Sequence, residues 1–275
     1  MNVQMINYTP FALETLIFTK NTRLTLRPEL FEEIKAWPMT RKLSELEYMR
    51  HTIQSQFEFV DYIFLITGVT RAFTHQLVRH RVGVSFAQQA QRAVDMTGFE
   101  FETGPSIRSN TDRQAVYDST MQQINAGYQA LTQAGANPQD ARGVLPTNIC
   151  TNIVFKANLR TLHDMAKKRL CVKAQGEFQD VFRLIRLRVL EIHPWVDHFI
   201  RVWCAAHGTC MFHTFPVSDC PVKPIVYDPH NRQAYGGGKA GSLDFIQLTW
   251  ERERAEAQPR VSLGKDKPIR STWPY

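Results

Sequence analysis

What this sequence lacks narrows it first. No apolar run approaches the roughly 18 residues that a membrane-crossing helix needs, so no membrane span is expected. The start, MNVQMINYTPFALETL, has neither the basic residues nor the apolar core of a secretory leader. Cysteine is scarce: Cys150, Cys171, Cys204, Cys210 and Cys220 make an odd number, and no CxxC pair occurs. Free thiols in a reducing, cytoplasmic setting are the expectation. Cys210, His213 and Cys220, even with His207, match no zinc spacing, so no metal is expected. The net charge is +7, yet there is no long Lys/Arg run. That argues against a nucleic-acid tail and for small anionic ligands. The GGGKAG within residues 235–241 lacks the preceding strand and the following Ser or Thr of a phosphate loop, and reads as a surface turn. There is no internal repeat.

What is present is an ordinary globular composition. The chain has 275 residues with 43% hydrophobic and 21% charged content, enough for one large domain or two small ones around a sizeable core. Its organising stretch runs from Thr70 to Asp95, TRAFTHQLVRHRVGVSFAQQAQRAVD. Thr70 caps a helix carrying Phe73, Leu77 and Val78. Gly83 breaks the pattern and Ser85 to Arg92 restarts it. Arg79, His80 and Arg81 sit side by side, with Gln76, Gln88, Gln89, Gln91 and Arg92 around them. Three such residues cannot share one helix face, but at a helix end they can point into one pocket, where their charge suits the dipole. The turn is either a solvated basic loop or a cradle for phosphates or another anion.

In chain order, residues 1–40 give a mixed start, with a helix opening at TLRPEL and ending by Pro38. Thr40 or Ser44 caps the next, through Met49 and Ile53. Residues 57–69, FEFVDYIFLITGV, read as a buried strand. Its Glu58 and Asp61 are expected at an edge, in a pair or facing a site. Phe99–Pro105 is a short extended piece. Asn110 or Thr111 caps a long helix with a core stripe of Tyr117, Met121, Ile124, Tyr128 and Leu131, closed by Gly135. Asn137-Pro138 starts a short helix that carries Arg142. Asn148–Ala157 is a second strand, and Asn158-Leu159-Arg160 leads into a helix with His163, Asp164 and Arg169. Ala174–Ile192 is amphipathic through Phe178, Val181, Phe182, Ile185 and Val189. Pro194 interrupts it, and Trp195–Ala206 is helical. Beyond Gly208 the composition shifts to a loop-rich tail, with one short helix near Ser242–Glu251. This divides the chain into residues 1–207 and an extension, 208–275.

Arg71, Arg79, Arg81, Arg92, Arg142, Arg160 and Arg169 mostly lie at helix ends or just after strands, where pockets form. So many arginines call for several negative charges, as a nucleotide plus a dinucleotide cofactor would supply. Here the sequence resembles a family. RHR followed by SFAQQAQR resembles the signature of flavin-dependent thymidylate synthases, Arg-His-Arg and then Ser-x-Asn-Glu-x-Ser-x-Arg. MRHTIQSQFEF resembles that family's His-rich segment, and DARGVLP, NLRTL and KKRL follow in its order, over about residues 40–200. The resemblance implies an α+β fold, mixed helices around an antiparallel sheet, assembling as a homotetramer with shared active sites. It implies FAD as cofactor, NADPH and methylenetetrahydrofolate as co-substrates, and C5 methylation of a pyrimidine nucleoside monophosphate, dUMP in the family. By position, Ser55, Arg79, His80, Arg81, Gln88, Asn158, Leu159, Arg160 and Asp164 fall where the family contacts FAD. Gln76 to Arg79, Gln88 to Arg92, Arg142 and Arg169 fall where it contacts the nucleotide. Arg169 matches the arginine that polarises the pyrimidine at N3.

The sequence also departs from the pattern. Asn-Glu-x-Ser becomes Ala87-Gln88-Gln89-Ala90, so the signature serine is absent. One extra residue separates RHR from Ser85, Ile53 replaces a histidine, and Asp164 stands where the family has Asn or His. Replacing a carboxylate by the Gln88 amide removes a charge and adds an NH2 donor. Three alternatives follow: the same chemistry on dCMP or UMP, a flavoprotein that has lost methyl transfer, or a nucleic-acid-binding module using the basic turn. The contexts of Arg142, Arg160 and Arg169 argue against the last.

Overall fold

The computed structural model describes residues 1–22, 26–52, 54–207, 210–212, 220 and 261–262. Four strands form one antiparallel sheet: β1 (Asn2–Tyr8), β2 (Asp61–Thr70), β3 (Val84–Gln88) and β5 (Cys150–Asn158), in the order β1-β2-β5-β3. A minor pair joins β4 (Glu100–Phe101) to β6 (Val261–Ser262). The α+β expectation, helices around an antiparallel sheet, holds.

Burial alternates along β2 and β5, so each has one core face. On that face Phe64 stacks on Phe155 at 6.1 Å and Phe155 on Phe86 at 5.5 Å, an aromatic row across three strands. Helix α9 (Gly176–Ile192) covers the sheet with the stripe read from the sequence: Phe178, Val181, Phe182, Ile185 and Val189 are all buried. Helices α1 (Ala12–Lys20), α2 (Pro28–Lys35) and α3 (Met39–Arg50) extend this core. Helix α6 (Thr111–Gln133) carries a smaller core of Phe99, Phe101, Met121 and Ile149.

Several expectations need correction. The strand assigned to 57–69 starts at Asp61, because Ser55–Phe59 forms a 3-10 turn that buries Phe57 against Phe199 at 4.7 Å. Ser85–Arg92 does not restart a helix: Val84, Phe86 and Gln88 alternate with exposed Ser85 and Ala87, and the segment pairs with β5. The N-terminus supplies β1, which the mixed start did not reveal. Helix α3 begins at Met39, ahead of the caps proposed for it. Leu131, read as core, is 39% exposed, since the last turns of α6 outrun what they cover. Asp61 is in a pair as one of the expectations had it, with Lys156 at 2.9 Å on an interior strand, whereas Glu58 precedes the strand and is exposed. The 235–241 turn, the helix near 242–251, Ile53 and His213 lie outside the described residues.

Candidate active site

The site grows from the end of β2. Thr70 closes that strand and caps α4 (Arg71–Leu77), its Oγ1 accepting from Phe73 N–H at 3.0 Å. Its own N–H and hydroxyl donate to the Glu177 carboxylate at 2.7 and 2.5 Å. Burial pushes the Glu177 carboxyl up, the bonds from Thr70 oppose this, and Glu102 adds to it. Arg71 and Ala72 N–H bond to the carbonyls of Ile149 and Thr147 at 3.0 and 2.8 Å. The first turn of α4 is thereby fixed to the chain entering β5, and its last turn delivers Arg79-His80-Arg81.

A second helix meets it there. Asn158 caps α8 (Leu159–Arg169), accepting from Thr161 N–H at 2.9 Å, and Leu159 N–H is held by the Val60 carbonyl at 2.8 Å. The last turn gathers Lys167, Lys168 and Arg169, where the dipole favours cations. Arg169 Nη2 donates to His80 Nε2 at 3.3 Å, and its guanidinium carbon stands 4.2 Å from the Phe178 ring centre. Burial, then Arg169 and Lys168, hold His80 below the usual histidine range, so a neutral imidazole accepts this bond. Arg169 is itself pulled down by burial and by the charge of Arg79. Its Nε is buried with no hydrogen-bond partner. At the other end of α4, burial and Arg142 act on Arg71 in the same way. Arg142 follows α7 (Pro138–Ala141), and its Nε donates to the Gln139 carbonyl at 3.1 Å.

Between these helices runs β3. Gln88 Nε2 donates to Thr74 Oγ1 at 2.9 Å, and the Thr74 hydroxyl donates to the Arg71 carbonyl at 3.0 Å. Asn152 fixes the next residue: its carbonyl accepts from Gln89 N–H and its Nδ2 donates to Gln89 Oε1, both at 3.0 Å. Its Oδ1 accepts from Gly68 N–H at 3.0 Å, where β2 bulges. Gln76 Nε2 reaches Gln175 Oε1 at 2.9 Å. Gly83 has φ 67°, and a Cβ there would lie 2.4 Å from Thr161 Oγ1 and 2.5 Å from Asn158 Nδ2. Its carbonyl accepts from Asn158 N–H at 3.0 Å, and the Val82 carbonyl accepts from the Thr161 hydroxyl at 2.8 Å. Glycine is needed for both the conformation and the approach, and the basic turn is clamped to the cap of α8.

Of the residues singled out by sequence, Arg79, His80 and Arg169 converge where α4 and α8 end, with Gln76 and Gln88 on or under α4. Asn158 and Leu159 start α8. Arg160 bonds to Asp164 at 3.2 Å; burial works against the Asp164 carboxylate, but Lys167 and Arg160 outweigh it and hold it below the usual range. Ser55, Arg81, Ala90 and Arg92 are exposed and Gln91 is half-buried. The ion pairs of arginine among the described residues include Arg160–Asp164, Arg183–Asp180 and Arg186–Asp197. None involves Arg71, Arg79, Arg81, Arg92, Arg142 or Arg169. Sequence reasoning missed Thr74, Asn152, Gln175 and Phe178. Only Asn152, polar amid apolar strand residues, left a visible signal.

Residues 6–195 match the family model described as thymidylate synthase complementing protein. Proteins named flavin-dependent thymidylate synthase are similar. That of Nitratidesulfovibrio vulgaris is 34% identical over 57% of this chain and 66% of its own. That of Geobacter sulfurreducens is 35% identical over 58% and 69%, and that of Sulfurisphaera tokodaii 30% over 75% and 80%. The chain thus spans about two thirds of the length of the first two.

Proposed function

The chain belongs to the thymidylate synthase complementing protein family, and on that premise we propose a flavin-dependent methyltransferase acting on C5 of a pyrimidine nucleoside monophosphate, dUMP to dTMP as the relatives' names imply. The observation that carries this reading is Arg169, whose buried Nε has no partner and whose neighbours Arg79 and Lys168 add positive charge. C5 of a pyrimidine is a poor nucleophile. A guanidinium at the N3 and O2 edge stabilises the negative charge that builds there as C5 attacks, with no protein nucleophile required. A neutral His80 beside it orients that guanidinium without adding charge. Gln76, Arg92 and Arg142 offer donors for the phosphate, alongside Gln89, Ala90 and Gln91.

Arg79, Arg81 and Arg160, with Ser55, His80, Gln88, Asn158 and Asp164, are the residues we assign to FAD. The cationic turn and the cap of α8 suit its pyrophosphate, and the bound flavin supplies the hydride. NADPH as reductant, methylenetetrahydrofolate as carbon donor and a homotetramer with shared sites belong to the same proposal. Half-buried Ile63, Leu65 and Val154, away from the core face of the sheet, and Val82, 82% exposed beside Arg81, fit such an assembly. Residues 1–207 are read as the catalytic domain and 208–275 as its extension.

A second reading rests on Gln88. With its NH2 bonded to Thr74, its carbonyl is left as acceptor, and cytosine's 4-amino group donates where uracil's O4 accepts. The test is product mass: the protein with FAD, NADPH and methylenetetrahydrofolate, offered dUMP, dCMP and UMP separately. A methyl gained on dUMP or UMP, which both carry uracil, supports the first reading of the base, and a gain on dCMP the second. No gain on any, with FAD bound, means that methyl transfer has been lost.

A further inference from the structure

The first turn of α9 touches both helices of the candidate site. Glu177 accepts from the Thr70 N–H and hydroxyl at 2.7 and 2.5 Å, one bond to each carboxylate oxygen. One residue on, the Phe178 ring centre stands 5.0 Å from that of Phe73, 6.2 Å from that of His80 and 4.2 Å from the Arg169 guanidinium carbon. Just ahead of the helix, Gln175 Oε1 accepts from Gln76 Nε2 at 2.9 Å. Thr70, Phe73 and Gln76 recur at steps of three, so residues 175–178 grip one side of α4 from its cap to its last turn. Gln179 reaches the other helix. It is buried, and its Nε2 donates at 3.1 Å to the carbonyl of Leu170, the residue after Arg169. The placement of Arg169 at the end of α8 relative to His80 beyond α4 is therefore set from α9.

Glu177 is the costly member of this set. The groups that bear on it are Thr70 and Glu102, and it bears in turn on Cys150; none is a cation. A buried carboxylate without a cation opposes folding, and an amide or an apolar side chain would serve the core better. A carboxylate brings what those lack, two acceptors and no donor. Thr70 calls for both. Its Oγ1 already accepts from the Phe73 N–H, so its hydroxyl proton and its own N–H each need an acceptor on the α9 side. The N-terminal turn of α9 also favours the charge. A glutamine could serve the N–H but would set an NH2 against the hydroxyl.

We propose that Glu177 is a positioning residue for methyl transfer: it locks the first turn of α9 to Thr70, and Phe178 and Gln179 on that turn hold the Arg169 guanidinium against His80 and ready for the pyrimidine. The inference rests on the role given to Arg169 above. Glu177 acts through these residues and not on the substrate.

The test is steady-state kinetics of the full-length, FAD-loaded protein on whichever nucleotide it methylates. Glu177→Gln should lower kcat about tenfold or more, with KM for the nucleotide within about twofold, because what is lost serves the transition state. Added to Arg169→Ala, it should cost less than about twofold further. His80 gives a readout that needs no substrate. It faces Arg169, Lys168 and the Phe178 ring. As Arg169 moves off, its NMR titration in Glu177→Gln should rise toward the ordinary value of about 6.5. Should Glu177→Gln fail to fold, Glu177→Asp takes its place, keeping the charge but withdrawing the acceptors by one methylene, with the same outcomes expected. Rate losses that multiply in the double variant, or a His80 titration unchanged from wild type, would overturn the proposal. A wild-type chain that methylates none of dUMP, dCMP and UMP removes the methyl-transfer reading instead, and the His80 titration then decides alone whether Glu177 positions Arg169.

Discussion

Arginines occupy two regions of this molecule in opposite ways. Along α9 and just beyond it, Arg183 pairs with Asp180, Arg186 and Arg201 share Asp197, and Arg188 pairs with Glu191. Where α4 meets α8 and the 142 turn, Arg71, Arg79, Arg142 and Arg169 face one another's charge instead. Arg183 and Arg186 are buried and Arg79 is exposed, yet the sharper difference is that only the first group has carboxylate partners. In the first region the chain cancels its own charge and the pairs belong to the fold. In the second the positive potential is left standing, as for an anionic ligand that completes it.

Substitutions should separate the two. Arg169→Ala should lower product formation about a thousandfold, roughly 4 kcal/mol of barrier, while urea unfolding shifts by less than about 1 kcal/mol, the scale of its ring contact. Arg186→Ala should do the reverse. Its side chain is buried, its Nε donates to the Ile200 carbonyl at 2.9 Å, and losing it should cost roughly 3 kcal/mol in urea melts, with turnover per folded molecule retained. If Arg169→Ala unfolds the chain as readily as Arg186→Ala, the contrast fails. Gly83→Ala should cost about 2 kcal/mol, combining a left-handed backbone with the overlap on Thr161 and Asn158. That loss is read from unfolding, with Gly143→Ala, where nothing lies within 4 Å, as control.

The smallest effect is on pH dependence. Burial lowers His193, with Glu14 opposing and Tyr62 hydroxyl bonded to its Nδ1 at 2.9 Å. Burial also lowers His163, whose surroundings are the Phe199 carbonyl, Lys167, Asp164 and Arg160. A histidine lowered in the folded state binds protons better when unfolded. Its contribution is therefore whole above the ordinary value of about 6.5 and fades as pH falls below it. Unfolding free energy measured from pH 8 to 5 should decline through that range. His193→Gln should flatten the decline, and a flat wild-type profile would contradict the assignment.

Caps were the most legible features. Thr70, Asn110 and Asn137 were each readable as a side chain satisfying a bare N–H, and all three do so, as does Asn158, which the sequence showed only as leading into a helix. The amphipathic stripe of α9 was equally plain. Residues 85–92 were not, because Phe86 and its neighbours fit a helical and an alternating period alike, and the partner that decides, β5, lies far along the chain. The edge strand β1 escaped for a similar reason: its pairing to β2 is non-local and its sequence is polar. Arg79, His80 and Arg169 were chosen from sequence and do meet, but the bonds of Gln88 to Thr74 and of Asn152 to Gln89 need coordinates.

The ladder of β3 on β5 makes the site a matter of parity. Val84 faces Ala157, Phe86 faces Phe155 and Gln88 faces Ile153, and even and odd positions point opposite ways. Adding one residue to the turn before Val84 would leave every local residue type intact, yet shift the count by one. Ala87 would then take the place of Gln88 beneath Thr74, and a methyl would stand where an amide now does. The identity of the side chain beneath Thr74 is thus set by an integer, the length of the turn that Gly83 closes, as much as by the residue written at position 88.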